Sequence, residues 1–276
     1  MSGADRDEES LTRKQRRGRA RARRKVLEEA EAAGAMRRRR LTQLGIVVAI
    51  VAAGFVLAVI GTDSPAMTKK VDPGSIEATN TERAVNALVG GTPQSGKSLG
   101  QPTAPVTLQY FSDLECSICK DFALGALPSL IQTWVRSGKL RIEYRSLETA
   151  TREPEVFKSQ QVAALAAGRQ NKLWHFVETF YHEQGEEGSG YVTEGYLQGI
   201  ARQVSGLNLA QWTSDRNETA LANQLAADAQ AANTDGFNGT PSFLIGRTGG
   251  TMRKFDSTSL TDPTSFNGAI KQLLHG

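Results

Sequence analysis

Cys116 and Cys119 are the only two cysteines in this 276-residue chain, and they form one motif, Cys116-Ser117-Ile118-Cys119. A lone C-x-x-C leaves no spare thiols for structural disulfides. The pair follows a strand-like run, Val106 to Phe111, and opens a segment with helical periodicity. In that setting C-x-x-C reads as a redox dithiol. A helix start carries about half a positive charge and unpaired N–H donors. Both favour a thiolate on Cys116, which makes it the exposed, attacking sulfur. Cys119, three residues on and on the same helix face, is placed to resolve a mixed disulfide. The alternatives are a metal site and two inert buried thiols. Zinc needs about four ligands, and beyond the two sulfurs the chain offers only His175, His182 and His275, so no metal ligand set is assigned.

The surrounding pattern supplies the elements that would hold the pair. From Cys116 the apolar positions Cys119, Phe122, Ala123, Ala126, Leu127, Leu130, Ile131, Trp134 and Val135 keep a 3.6 period. Pro128 is expected to kink this helix and Gly138 to end it. Leu140 to Arg145 alternates as a strand. From Glu155 to about Asn233 the pattern is helical. Strand character returns at Ser242 to Ile245, a Gly-rich turn leads to a short strand ending near Phe255, and a last helix starts at Asp262-Pro263, with Asp as N-cap and Pro at N1. The order is β-α-β, a helical block, then β-β-α. That is an α/β thioredoxin fold with an inserted helical domain at about 150–235, the whole domain running over 82–276.

Ahead of it, Leu44 to Gly61 is 18 residues without a charge, roughly 27 Å as a helix and about one hydrocarbon core. Residues 1–43 carry 14 Lys and Arg against 7 Asp and Glu, and everything after the apolar run is net −3. The chain's overall +4 therefore describes a basic arm. Positive charge beside a span stays cytoplasmic, which gives a cytoplasmic arm at 1–43, a transmembrane signal anchor at 44–61, a linker at 62–81 and an extracytoplasmic C-terminal domain. A cleaved signal peptide is the rival reading, with a shorter apolar core and an A-x-A-like site that is not evident near Gly61. The arm's charge is explained by topology and contact with anionic headgroups, with no nucleic acid required.

Gly91 to Ser98 matches the phosphate-loop pattern G-x-x-x-x-G-K-[ST] letter for letter. That chemistry needs a helix directly after the loop, so that its N–H groups cradle the phosphates. Leu99 to Pro105 holds a glycine and two prolines instead, and nucleotide binding is set aside. The sequons at Asn217 and Asn238 carry little weight, and a glycan at Asn238 would crowd the dithiol.

Gln109 to Cys119 resembles the F-x-D-x-x-C-P-x-C signature of the DsbA family of thiol–disulfide oxidoreductases, and in particular its membrane-anchored, BdbD-like members. Leu173 to Phe176 resembles a helix motif of the family's insertion, and Gly236 to Gly246 is similar to its G-V-x-G-T-P-x-F-x-I-x-G segment. The resemblance implies that Cys116 and Cys119 are catalytic and that Thr240-Pro241 is a cis-proline loop facing them and pairing with substrate backbone. It implies no bound cofactor. Its clients are exported cysteine-containing proteins, and a membrane redox partner recycles the dithiol. The chain departs from the family in the dipeptide: Ser117-Ile118 stands where proline and then histidine or tyrosine are common, so at most the Ser117 hydroxyl assists the thiolate. Direction is therefore open between disulfide formation, reduction and isomerisation, and a non-catalytic thioredoxin-like binding or chaperone module remains the alternative from another class. Asp113 is either a proton relay for Cys119 or a turn-capping residue.

Overall fold

The computed structural model describes residue 69 and residues 71–275; the arm and the apolar run at 44–61 lie outside them. Among the described residues no helix is long and apolar enough to cross a membrane. The sheet is built on β3 (Val106–Ser112), whose apolar run is covered on both faces. β4 (Leu140–Ser146) lies parallel to it, with Tyr110 opposite Tyr144. β5 (Ser242–Arg247) lies antiparallel on its other side, with Tyr110 opposite Phe243. The hairpin of β1 (Gln94–Ser95) and β2 (Ser98–Leu99) extends the β4 edge, and β6 (Arg253–Lys254) extends the β5 edge, giving the order β1-β2-β4-β3-β5-β6.

Helix α1 (Ile76–Val89) precedes the sheet. Between β3 and β4 run α2 (Ser117–Leu124), α3 (Ala126–Leu130) and a π-turn at Ile131–Val135. The helical block is α4 (Pro154–Arg169), α5 (Leu173–His182), α6 (Glu194–Gln203), α7 (Leu209–Asp215) and α8 (Thr219–Thr234). The chain then returns through β5 and β6 to α9 (Thr264–His275). This is the expected β-α-β, helical block, β-β-α order. Tyr110 and Phe243 from the sheet, Phe122 from α2 and Phe266 from α9 meet with ring centroids 4.8 to 5.7 Å apart. Edge-to-face and offset contacts of this kind fix α2 against the strands, and the dithiol with it.

Two expectations are corrected, and the phosphate-loop pattern fails as its context foretold. Ordered structure begins before residue 82: the Ser75 hydroxyl caps α1 by accepting the Ala78 N–H at 3.0 Å, and Ala78 and Thr81 are buried. The break in the helix after the dithiol is at Gly125 and not at Pro128. The Leu260–Thr261 backbone passes so close that a Cβ on residue 125 would lie 2.8 Å from Thr261 Cα, and the Ala126 N–H turns out to donate to Leu260 O. Pro128 then falls in the first turn of α3, where no intrahelical N–H is needed. Most of residues 91–98 falls in the β1–β2 hairpin, which runs from Gln94 to Leu99 and is too short to leave a pattern. Gly96, with φ of 55°, takes the first loop position, where positive φ is required. Lys97 reaches away from any phosphate cradle to the buried Asp228, which it shares with Arg145 and the Ser146 N–H.

Candidate active site

β3 ends at Ser112, the chain turns through Asp113–Glu115, and Cys116 becomes the N-cap of α2. The turn is held from three directions. Asp113 is fully buried and its carboxylate accepts the N–H groups of Glu115, Thr149, Ala150 and Thr151 at 2.9 to 3.1 Å and the Thr151 hydroxyl at 2.6 Å. Gln184, just past α5, donates to the Leu114 and Cys116 carbonyls at 2.8 and 3.1 Å. Below the turn, the Ser112, Tyr110 and Tyr181 hydroxyls form a buried network that also reaches the Cys119 and Asp113 carbonyls. Both oxygens of Asp113 are thus engaged, in its own turn and above all in holding the loop at 149–151, which makes it a structural staple rather than a proton relay.

Both cysteines are free thiols, and they differ. Cys116 Sγ accepts the Cys119 N–H at 3.3 Å. Hydrogen bonding by the Cys119 thiol first, and then by the Thr240 side chain and the Cys119 and Ile118 amides, outweighs desolvation and brings Cys116 down to about 7. Cys119 is buried without exposure, and desolvation, reinforced by the neighbouring sulfur, pushes it well above the ordinary thiol range. Such a pair has one sulfur ready to act as a thiolate at neutral pH and one that stays protonated until its partner is engaged. Cys116 is less open than a helix-start position suggests, at 5 % exposure; the exposed member of the motif is Ile118, at 51 %.

The cover over Cys116 is the loop before β5. The Thr240–Pro241 bond is cis, and Cys116 Sγ lies 3.5 Å from the Thr240 carbonyl. The Thr240 hydroxyl meets that of Thr149 at 2.5 Å, so the loop that Asp113 staples also steadies the proline loop. Beside it opens a cavity of about 550 Å³, lined by Ile118, Phe237, Pro241, Phe243, Lys254 and Phe255 among others. A second cavity, about 400 Å³ against α4 and α7, does not touch the proline loop, and neither cavity is lined by a cysteine. All four residues expected from sequence and resemblance, Cys116, Cys119, Thr240 and Pro241, therefore meet in one place.

Other neighbours carried no sequence signal. Glu187, in the segment after α5, accepts both the N–H and the hydroxyl of Ser117. That hydroxyl is accordingly directed at a carboxylate, and not at the thiolate as the dipeptide suggested. Glu115 is buried beside Cys116, and desolvation raises its carboxyl. His175, from the insertion motif, sits away from the dithiol: its Nδ1 lies 3.1 Å from the Gln94 amide, and burial lowers it to about 4.

Residues 93–258 match the family model described as thioredoxin. "Probable disulfide bond formation protein D" of Bacillus cereus is 25% identical over 217 residues, which cover 76% of this chain and 90% of that one. "Disulfide bond formation protein D" of Bacillus subtilis is 22% identical over 171 residues, 60% of this chain and 74% of that one. Among solved structures, oxidised BdbD from Bacillus subtilis superposes with a TM-score of 0.57 at 18% identity, covering 67% of this chain and 98% of the other. DsbA from Chlamydia trachomatis gives 0.54 at 16%, covering 67% and 94%.

Proposed function

From the premise that the chain belongs to the thioredoxin family matched over residues 93–258, and is a thiol–disulfide oxidoreductase of the DsbA kind, we propose that it forms disulfides in exported proteins outside the cytoplasm. The observation that carries the reading is the asymmetric dithiol beside the Thr240–Pro241 loop: Cys116 lowered, Cys119 buried and raised, with a groove alongside.

The chemistry follows from that asymmetry. In the oxidised protein Cys116 and Cys119 are joined, and a client thiolate attacks Cys116 Sγ from the groove. The S–S bond breaks and Cys119 leaves, taking up a proton because its buried site disfavours the anion. A second client thiolate then attacks the client sulfur in the mixed disulfide. Cys116 leaves as a thiolate that the α2 amides already accommodate, and the client departs with its disulfide. Two electrons have passed to the dithiol, so no bound cofactor is needed. A membrane redox partner must remove them. The Thr240 backbone next to Cys116 serves as the edge on which an extended client segment pairs.

The direction is argued from the names of the Bacillus relatives, which are disulfide bond formation proteins, and the lowering of Cys116, which stabilises the reduced form, acts in the same sense. The basic arm and the apolar run support the compartment, and disulfides persist in extracytoplasmic space. In this reading residues 1–43 stay inside, 44–61 span the membrane and the domain lies outside. Two measurements test the proposal. Stoichiometric oxidised protein should install disulfides in a reduced, unfolded client, and protease added to intact cells should remove the domain and leave an arm-sized fragment. Failure to oxidise any client thiol, or a soluble product starting near Thr62, would overturn the corresponding half.

A further inference from the structure

The Ser117 N–H is the first of the donors that a helix start leaves without an intrahelical partner. In α2 this donor is not available to the sulfur. Glu187 Oε2 accepts it at 3.0 Å and accepts the Ser117 hydroxyl at 2.8 Å, from 70 residues away in sequence. The Ile118 and Cys119 amides serve Cys116 instead. A carboxylate and a thiolate therefore share one helix N-terminus, and each reduces what that terminus offers the other.

We propose that Glu187 is a positioning residue that restrains the Cys116 thiolate and so holds the dithiol at a less oxidising potential than α2 alone would give. The inference rests on the thiol–disulfide reading above. The sign is fixed by charge: Glu187 disfavours the thiolate, hence the reduced protein, hence favours the disulfide. Its segment is anchored by contacts other than those of Glu187 itself. Gln184 clamps the turn carbonyls, and Lys69 donates to the Glu183 and Gln184 carbonyls. The other titratable and charged groups around the site include Asp113 and Glu115 on the turn, Glu148 after β4, Lys120 one turn along α2, His182 at the end of α5, Lys69, Glu183 and Glu186 on or against the segment, and Arg152, whose Nε would lie 3.1 Å from a Cβ on Gly188. Among the described residues Glu187 is in no ion pair within 4 Å, so its charge is not cancelled by contact. Because it is exposed, its effect is moderated by solvent.

The test is the equilibrium of the full chain, in detergent, with glutathione. The dithiol and glutathione disulfide give the protein disulfide and two glutathione thiols, so two electrons and two protons are transferred. Glu187→Gln should favour the reduced protein by about three- to tenfold, a rise of roughly 15 to 30 mV in potential. Glu187→Lys should shift it further in the same direction. The pH midpoint for alkylation of Cys116 should fall in the same order. A merely structural contact would alter melting without this ordered response to charge. Unchanged equilibria and midpoints in both variants, or shifts of opposite sign, would overturn the role of Glu187. If wild type itself fails to exchange with glutathione, the underlying thiol–disulfide reading falls as well, and the two failures are thereby told apart.

Discussion

Replacing Asp113 separates a staple from a proton relay. In the structure its two oxygens accept four backbone N–H groups and one hydroxyl, from buried or half-buried residues apart from the exposed Thr149. Asp113→Ala would leave these donors facing a void. Hydrogen bonds to a charged group are worth about 1.5–3 kcal/mol each and are not additive, so water entry and loop relaxation recover part of the loss. Breaking a buried charged network typically costs about 3–5 kcal/mol, a large share of the stability of a single domain. Asp113→Asn should cost less, about 2–3 kcal/mol, because one oxygen still accepts while the amide NH₂ confronts N–H donors. The assay is denaturant unfolding of the reduced protein at pH 7, with Cys116 alkylation followed in parallel. Freeing the loop at 149–151 also releases Thr149 from Thr240, so alkylation of Cys116 should accelerate as its cover loosens. A stability loss under 1 kcal/mol in Asp113→Ala, together with slowed exchange at Cys119, would refute the staple and restore the relay.

Cys116 should alkylate with a midpoint near pH 7 while Cys119 stays protected at that pH; equal rates for the two thiols near neutrality would contradict the asymmetry. Correspondingly, Cys119→Ala should accumulate mixed disulfides with clients and Cys116→Ala none, read by non-reducing electrophoresis. Glu178 on α5 is fully buried with no partner for either oxygen, and desolvation raises it from 4.5 to about 8. A raised carboxyl contributes its full stability below the unfolded value and loses it as pH climbs through the folded one. Glu178→Gln should therefore match wild type near pH 4.5 and exceed it by an amount growing to a few kcal/mol, at most about 5, by pH 8. A difference that does not vary with pH would show that the acid is solvated or paired.

The dithiol and its strand-turn-helix setting were legible because the motif is local: a buried strand, a turn and an N-cap lie within fourteen residues, from Val106 to Cys119. Thr240–Pro241 was reached through resemblance, since nothing in the local pattern of residues 236–242 places it 124 residues back against Cys116. The contacts that tune the site were not legible. Glu187, Gln184 and Thr149 look like ordinary polar loop residues, and only the folded chain brings them to Ser117, Cys116 and Thr240. The same reason explains the misplaced helix break. Proline announces itself in a sequence, whereas the close passage of Leu260–Thr261 at Gly125 is a tertiary fact. The phosphate-loop pattern failed for its stated physical reason, and a strand, not a helix, follows it.

The central claim is that this dithiol gives disulfides to its clients, and the wild-type reduction potential tests it most directly. Full-length protein equilibrated over a range of glutathione ratios, with the dithiol quantified by mass after alkylation, supplies the value. A Cys116 near 7 is less stabilised than the sulfur of DsbA, at about 3.5, and level with that of thioredoxin, at about 7. Thiol acidity alone therefore does not set the direction; giving disulfides to clients requires a potential above thioredoxin's value of about −270 mV, and the weaker thiolate keeps it short of DsbA's at about −120 mV. A potential at or below about −270 mV would contradict the account and make the protein a reductant.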